Sequence, residues 1–547
     1  MICLLHGYLL EGSGSNLWTR LIVEALCRQG RTVHLMAQEN HPDRYPFITE
    51  LRTYRRDGTV DVESFVKGDY PGQCILHKPI LGDTLPVYVW DRYEEFPRVV
   101  PMVDLTDHEI EDYTAWNARV LTRIVAEHGV TAVHANHSVL MPQVAERSMA
   151  STGVPFSIMP HGSGLEYAVK RDVRYLQLAD ASFREARRIF VHGEEMRSRV
   201  RTVLTYAPEL EPKFVDLHLG VDTSQFNPAT KSERPARIAQ LQRALSGLAR
   251  GRTAEQTQRM TDALRPALTN AELVAAMDSA QAYDNKAPDA DVEAKLAAID
   301  WEQDPTMLYV GRLISTKGIQ SVIAALPLLL RANPTLKLIV VGHGPLREPL
   351  EAMLWAMQNR DLELLRHIAD HGRTLERAPQ GDSGGTALTQ VTHFLDSLKA
   401  RGELEDYLDA CDRYVRSDTV VFTGYLTHRE LHFLFPCCDA AIFPSVVKEA
   451  GPLVFLEALA AGAFPMGTYF AGMQASIDAL SEVLPADVLD IMKLSADPHD
   501  TVRDIARNAP AALEMGERYK ETLFNFARSH YDWTSVADMY HREIESM

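Results

Sequence analysis

Short apolar runs recur along most of this chain, each closed by a turn rich in glycine, proline or histidine and followed by a stretch of helical spacing. That alternation predicts parallel strands joined by helices. In the first half the runs lie at residues 2–5, 32–37, 131–134, 154–159, 189–191 and 214–219, with amphipathic helices at 16–28 and 109–128. The run 2–5, the turn Gly12-Ser13-Gly14-Ser15, the helix ending at Gly30 and the strand 32–37 make one βαβ unit. Gly12 and Gly14 either let backbone approach a ligand closely or simply tighten the turn, since the dinucleotide pattern GxGxxG is not met. Residues 52–103 read as irregular, and the aromatic group Tyr88, Trp90, Tyr93 and Phe96 around Asp91 either stacks on a sugar face or forms a local core. Three successive strands carry a histidine at or just past the carboxyl end, as His134 with Asn136 and His137, then His161, then His192. Open parallel sheets bind ligands at that end, so His134 and Asn136 either contact an acceptor or pin a loop.

After a linker at residues 220–228 the pattern changes. Residues 229–303 are rich in Ala, Arg, Gln, Asp and Glu, and predict a helical hairpin with a mobile tip near 285–291. A second strand–helix series follows, with strands at 307–310, 336–341, 420–425, 440–443 and 464–468. It is interrupted by a polar helical stretch at 352–416 whose flexible centre is Gly381-Asp382-Ser383-Gly384-Gly385. The expected domains are 1–225, with a C-terminal helix at 531–547 packing back on it, a helical insertion at 226–303, and 304–530 with its own insertion.

Composition narrows the function classes. A net charge of -18 argues against nucleic acid or an anionic membrane held by bulk electrostatics. The six cysteines have no framework spacing and read as free thiols of a reducing cytoplasm. The longest apolar run, 322–330, is too short to cross a bilayer, and the chain opens on a strand rather than a charged leader, so neither an anchor nor secretion is expected. No His, Asp or Cys cluster has the spacing of a catalytic metal site, so no metal is expected.

The stretch 445–462 carries the densest chemistry. Pro452 marks a helix start, so the amides of Leu453 and Val454 lack helical partners and point outward with the positive end of the dipole behind them, which suits a phosphate. Glu457, further into the helix, is suited to accept hydrogen bonds from ribose hydroxyls, and Glu449, beside Gly451 at the mouth, from a sugar. The plainer reading is an ordinary acidic helix start with a solvated glutamate. Arg312 and Lys317, on the loop opened by Gly311 after strand 307–310, can neutralise a diphosphate. Backbone after Gly424 can edge-bind a base, and the sum is one extended ligand of base, ribose, diphosphate and sugar.

These motifs resemble those of the family-four glycosyltransferases of GT-B fold. The marks are Glu449 with Glu457, Gly311-Arg312-Leu313 with Lys317-Gly318, Gly342-His343-Gly344-Pro345, and Phe422-Thr423-Gly424. The resemblance implies an α/β architecture of two Rossmann-like domains facing a deep cleft, with helical insertions in the C-terminal half. It implies that Glu449 holds the donor sugar, Glu457 the ribose, Arg312 and Lys317 the diphosphate, and Tyr425, through its backbone, the base. Gly342 and Gly344 belong to the donor site, His161 contacts the transferring sugar, and Gly12 to Gly14 close over phosphate and acceptor. Where the family commonly has Phe-Gly after the first glutamate, this chain has Gly451-Pro452, which bears on sugar preference.

The expected activity is retaining transfer of a hexose from a UDP, GDP or ADP sugar to a small-molecule or glycan acceptor, with no cofactor and with the leaving phosphate as base. Double displacement through Asp91 is the mechanistic alternative. A sugar-nucleotide epimerase or hydrolase and a non-catalytic sensor are the functional alternatives, with Trp90 and Asp91 on the acceptor side. The insertions bind a partner, build a homo-oligomer, shape the acceptor site or are solvated decoration. Deletion of 353–416 is expected to leave donor binding intact.

Overall fold

A computed structural model describes the chain except for residues 12–13, 89–95, 205–206, 267, 281–285, 377–384, 449–450 and 452. It divides into two compact units, Met1–Gly220 with His530–Met547, and Val221–Ser529.

The first unit is built on a nine-stranded sheet. Its strands are β1 (Ile2–Leu5), β2 (Thr32–Met36), β3 (Ile48–Tyr54), β4 (Val60–Ser64), β5 (Gln73–Pro79), β8 (Ala132–Asn136), β9 (Phe156–Met159), β10 (Arg188–Val191) and β11 (Phe214–Asp216), with β6 (Thr84–Val87) and β7 (Arg98–Pro101) paired apart. The spatial order β11-β10-β9-β8-β1-β2-β5-β3-β4 places β1 at the centre. Strand order reverses between β1 and β8, which makes their carboxyl ends the crevice of this sheet. Residues 52–103 are not irregular: β5 pairs in parallel with β2 and β3, and β4 runs antiparallel along the edge. The expectation failed because β4 sits on an exposed edge with acids between its valines, and β5 carries polar His77 inside an apolar strand. Acidic side chains on an edge strand also discourage pairing with another chain.

The helix Asp107–His128 starts two residues before the predicted boundary because Thr106 and Glu109 form a reciprocal capping box. The helix Trp533–Glu545 packs in this unit against Gly14–Arg28. Tyr540 meets Trp18, His134 and Phe190 at ring distances of 6.1, 5.1 and 5.4 Å. Gly220 is required beneath Trp533, because a Cβ there would lie 2.3 Å from the indole.

The second unit is built on a six-stranded parallel sheet. Its strands are β12 (Thr306–Val310), β13 (Lys337–Val341), β14 (Val420–Gly424), β15 (Ala440–Phe443), β16 (Phe464–Thr468) and β17 (Lys493–Leu494), in the doubly wound order β14-β13-β12-β15-β16-β17. Both faces are covered, so the strands and the helix Ile319–Ala332 read as near-continuous apolar runs.

Neither helical addition is solvated decoration. Among the described residues, 229–303 form four α-helices, Arg234–Leu245, Ala254–Ala263, Asn270–Asp278 and Val292–Ala297, rather than a hairpin. Arg234 is buried and donates to Asp439 Oδ1 at 2.6 Å, while Oδ2 of the same carboxylate takes the Thr306 amide at 2.9 Å. One carboxylate thus ties the first added helix to the starts of β12 and β15. The described part of the expected mobile tip is also fixed. Asp289 is 2% exposed and bonds Arg347 and Lys295, each at 2.9 Å. Among the described residues no helix is long and apolar enough to cross a membrane.

Replacing Asp439 leaves a buried guanidinium without its counterion. Asp439→Ala should therefore cost about 3–5 kcal/mol in urea unfolding of the second unit. A loss below about 1 kcal/mol would mean that the first addition is not anchored there.

Candidate active site

The second sheet reverses its order between β12 and β15, and the loops leaving those two strands lie against each other. The Val446 amide donates to Thr316 O at 2.9 Å. Gly318 has φ +78°, and a Cβ on it would stand 1.8 Å from Pro444 O, so only glycine fits. The loop 311–318 is equally tight on its other side, where the Leu313 amide donates to His343 O at 2.8 Å. Cβ atoms on Gly342 and Gly344 would meet Gly311 O at 1.9 Å and Leu313 O at 2.5 Å. Gly342 and Gly344, expected to border the donor, thus serve to let two backbone loops touch.

This packing displays the charged residues. Arg312 is exposed, and no described carboxylate pairs with it; Lys317 is half-buried at the end of the single turn Ser315–Lys317. Glu376, 5% exposed, accepts from the Ser315 amide at 2.7 Å and from its hydroxyl at 2.6 Å. Glu376 closes the helix Leu362–Leu375, so the second addition fixes the cationic loop directly. Deletion of 353–416, expected to leave donor binding intact, would remove the acceptor of both Ser315 hydrogen bonds in this loop.

Beside this loop the helix Leu453–Ala461 begins, with Leu453 and Val454 half-buried in its first turn and Gly451 just before it. Glu457 is 5% exposed, which rules out a solvated glutamate. One oxygen, Oε1, lies 2.5 Å from His428 Nδ1, and the other, Oε2, is buried with no hydrogen-bond partner among the described residues. An ionised carboxylate oxygen in that state is costly unless a donor arrives.

The backbone after Gly424, expected to meet a base, is already partly engaged. The Tyr425 amide donates to Ala287 O at 3.0 Å, and Pro288 forms a bridge with Gly424. A Cβ on Gly424 would lie 2.6 Å from the Asp289 amide. The first addition therefore takes up the amide expected to read a base. Burial pushes the Asp289 carboxyl up, and Arg347 and Lys295 more than reverse it, leaving it below the ordinary range.

In the first unit, the crevice beside β1 and β8 gathers imidazoles. His6 Nε2 contacts Asn16 Oδ1 at 3.0 Å, and His161 Nε2 contacts Asn136 Oδ1 at 3.1 Å. Asn136 also donates to Thr19 at 2.8 Å, so this fully buried residue positions His161 rather than meeting an acceptor. His134 is likewise fully buried, bonded to Ser157 at 2.9 Å beneath Trp18 and Tyr540, and is a core residue. His137 holds φ 71° and Leu140 φ 65°, two left-handed non-glycine residues in one turn. Both His137 ring nitrogens lack partners among the described residues, and its ring lies 4.7 Å from His161. Strain of this kind concentrates at functional sites. Tyr88 donates to Val139 O at 3.0 Å and is part of the core. Gly14 opens the helix Gly14–Arg28 with open space where a Cβ would stand. Gly12, Trp90, Asp91, Tyr93, Glu449 and Pro452 lie outside the described residues.

Residues 291–368 match the family model described as Glycosyl transferases group 1. Over 232 residues the chain is 27% identical to a glycogen synthase of Mycobacterium tuberculosis, covering 42% of this chain and 40% of that protein. An alpha-D-kanosaminyltransferase of Streptomyces kanamyceticus is 32% identical over 87 residues, 15% of this chain and 22% of its own length. The chain thus spans well under half the length of the curated relatives it matches. Two solved structures cover all of it: the catalytic domain of starch synthase IV from Arabidopsis thaliana bound to ADP and acarbose (TM-score 0.53, 12% identity, 98% of that chain) and the sucrose-phosphate synthase of Thermosynechococcus elongatus (0.50, 15%, 99%).

The chain has the fold of the GT-B glycosyltransferases. Within this GT-B chain, the segment matching the family model contains Arg312, Lys317, Gly342 and Gly344, whereas Glu376 and Glu457 fall outside it. Glu376 and Asp289 escaped the sequence reading because each sits in a polar helical stretch, where an acid looks solvated. His6 escaped it because its contacts with Asn16 and His137 come from the fold and not from any spacing, and the positive φ of His137 leaves no mark in a sequence.

Gly342→Ala combines an unfavourable φ with a backbone collision, and should lower the thermal midpoint of the second unit by several degrees; an unchanged midpoint would show that the loops can part freely. Burial holds His6 and His192 at about 4 and His134 at about 3, against an ordinary 6.5. These imidazoles stay neutral when folded and take protons when unfolded, so their contribution is complete above the unfolded value and fades as pH falls toward the folded ones. Thermal unfolding of the first unit should shift down between about pH 7 and about pH 5, and a flat profile would contradict the burial of the group.

Proposed function

We propose that this protein is a retaining glycosyltransferase that moves a hexose from a nucleoside diphosphate sugar to an acceptor hydroxyl. The observation that carries the reading is the buried Glu457 carboxylate on the helix Leu453–Ala461, with one oxygen on His428 and the other lacking a donor among the described residues. Two adjacent hydroxyls of a ribose supply the donor that Oε2 lacks. The diphosphate then falls to the amides of Leu453 and Val454 and to Arg312 and Lys317. Glu449, by its spacing from Glu457, is assigned the hydroxyls of the transferring sugar, with Gly451 beside it.

In this reading the chain's own charges stabilise the negative charge that grows on the leaving phosphate oxygen, and the transfer needs no metal. A departing phosphate oxygen takes the acceptor proton while attack comes from the same face, which preserves the anomeric configuration. His161, neutral because burial and the neighbouring imidazoles hold it well below its ordinary range, is assigned a hydrogen bond to the sugar and not proton transfer. Donors of the UDP, GDP and ADP classes all fit this half of the ligand, and the acceptor is a small molecule or a glycan.

Glu457→Gln keeps the shape and loses the charge, and Arg312→Ala removes an exposed side chain. Each should cut transfer about ten- to a hundredfold, the scale of a lost charge-assisted hydrogen bond, with little change in thermal midpoint. A screen of UDP, GDP and ADP sugars by thermal stabilisation selects the donor for the assay. Wild-type turnover by both variants would sink the site assignment, and equal sugar release with and without acceptors would mean hydrolysis rather than transfer.

A further inference from the structure

Three histidines far apart in the chain converge on one face of the first sheet. His34 lies in β2, His77 in β5, and His128 is the last residue of the helix Asp107–His128. One ligand atom from each lies within 4.8 Å of the others. His34 Nδ1 and His77 Nε2 stand 2.8 Å apart, and His128 Nε2 is buried without a hydrogen-bond partner. We infer that His34, His77 and His128 form a binding site for a divalent transition-metal ion of the zinc class, separate from the donor-binding residues of the second unit.

The outward nitrogens are already engaged as such a site requires. His77 Nδ1 bonds the Tyr54 hydroxyl at 2.8 Å, and His34 Nε2 lies 3.1 Å from Met1 Sδ. His34 and His77 can therefore each keep one N–H on the outer side and turn a lone pair inward, the usual arrangement for ligating histidines. The metal replaces the single proton in the His34–His77 hydrogen bond, and that proton moves to the outer nitrogen of the same ring, so no net proton is released. Zinc–nitrogen bonds of about 2.0–2.1 Å at tetrahedral angles set the nitrogens roughly 3.3 Å apart, so the close pair need open by only about half an ångström.

The surroundings favour nitrogen donors and a dication. Burial, and then the neighbouring His128 and Arg52, lower His34 to about 4, and burial first lowers His77 and His128 as well, so all three are neutral ligands at neutral pH. The Cys3 thiol is pushed far up by burial and is no thiolate donor. Glu50 and Glu127 pair with Arg52, and Glu127 also with Arg123, which balances the guanidinium nearest the site. The Met1 amine is occupied by Thr131 at 2.8 Å. His128 closes its helix, whose carboxyl end is negative and attracts a cation. The His128 residue as a whole is half-buried, whereas its Nε2 is buried with the other two rings. Three imidazoles without a carboxylate suit zinc rather than calcium or magnesium.

The test uses the full chain, stripped with a chelator and dialysed. One equivalent of Zn2+ should bind in competition with a chromophoric chelator and raise the thermal midpoint. Co2+ should give the intense visible bands of a tetrahedral nitrogen site. His128→Gln, at a half-buried helix end, should fold with an unchanged metal-free midpoint, lose the cobalt spectrum and bind Zn2+ at least a hundredfold more weakly; Tyr54→Phe should weaken it about tenfold while keeping the spectrum. Absence of stoichiometric binding by the wild-type chain, or His128→Gln affinity equal to wild type, overturns the site, the latter assigning the metal to other histidines.

Discussion

The second unit depends on how closely three backbone loops approach one another at the carboxyl ends of β12, β13 and β15. With Gly318 against Pro444, Gly342 against Gly311 and Gly344 against Leu313, there is no room for a Cβ at any of the three contacts. Those contacts hold the loop 311–318, which carries Arg312 and Lys317, against the start of the loop that leads from β15 to the helix Leu453–Ala461. Preorganisation of this kind means that a ligand need not supply the cost of gathering the charges.

The helical additions extend the same constraint. Glu376 secures the cationic loop through both the amide and the hydroxyl of Ser315. Asp289, held between Arg347 and Lys295, carries Ala287 and Pro288 onto the end of β14. The bare sheet would leave the Tyr425 amide open for a base, and the first addition takes it up. On the proposed function, a base would meet a strand end already joined to the first addition, and both additions would border the donor.

Much of the architecture is legible in the sequence, because buried parallel strands are apolar runs of the right length ending in turn residues. That is why β1, β15 and β16 fall where the pattern places them, and why the helix at Leu453–Ala461 begins just past Pro452 as expected. What could not be read depends on distant partners. His134 and Asn136 look like ligands at a strand end, yet one is packed under Tyr540 and the other holds His161. His34, His77 and His128 lack any motif spacing and meet only because β2 and β5 are neighbours under one helix. Gly342 and Gly344 stand out in the sequence as a turn, but the close approach of backbone from 311 and 313 that requires them shows only in the fold.

The central claim is that Glu457 receives ribose hydroxyls. It is tested most directly by comparing the affinity of the selected nucleoside diphosphate with that of its 2′,3′-dideoxy analogue, on the wild-type chain and on Glu457→Gln. The account predicts that removing the hydroxyls weakens wild-type binding by about tenfold or more, since hydrogen bonds to a charged group contribute about 1.5–3 kcal/mol, and weakens the variant far less. Equal losses in the two proteins would contradict it.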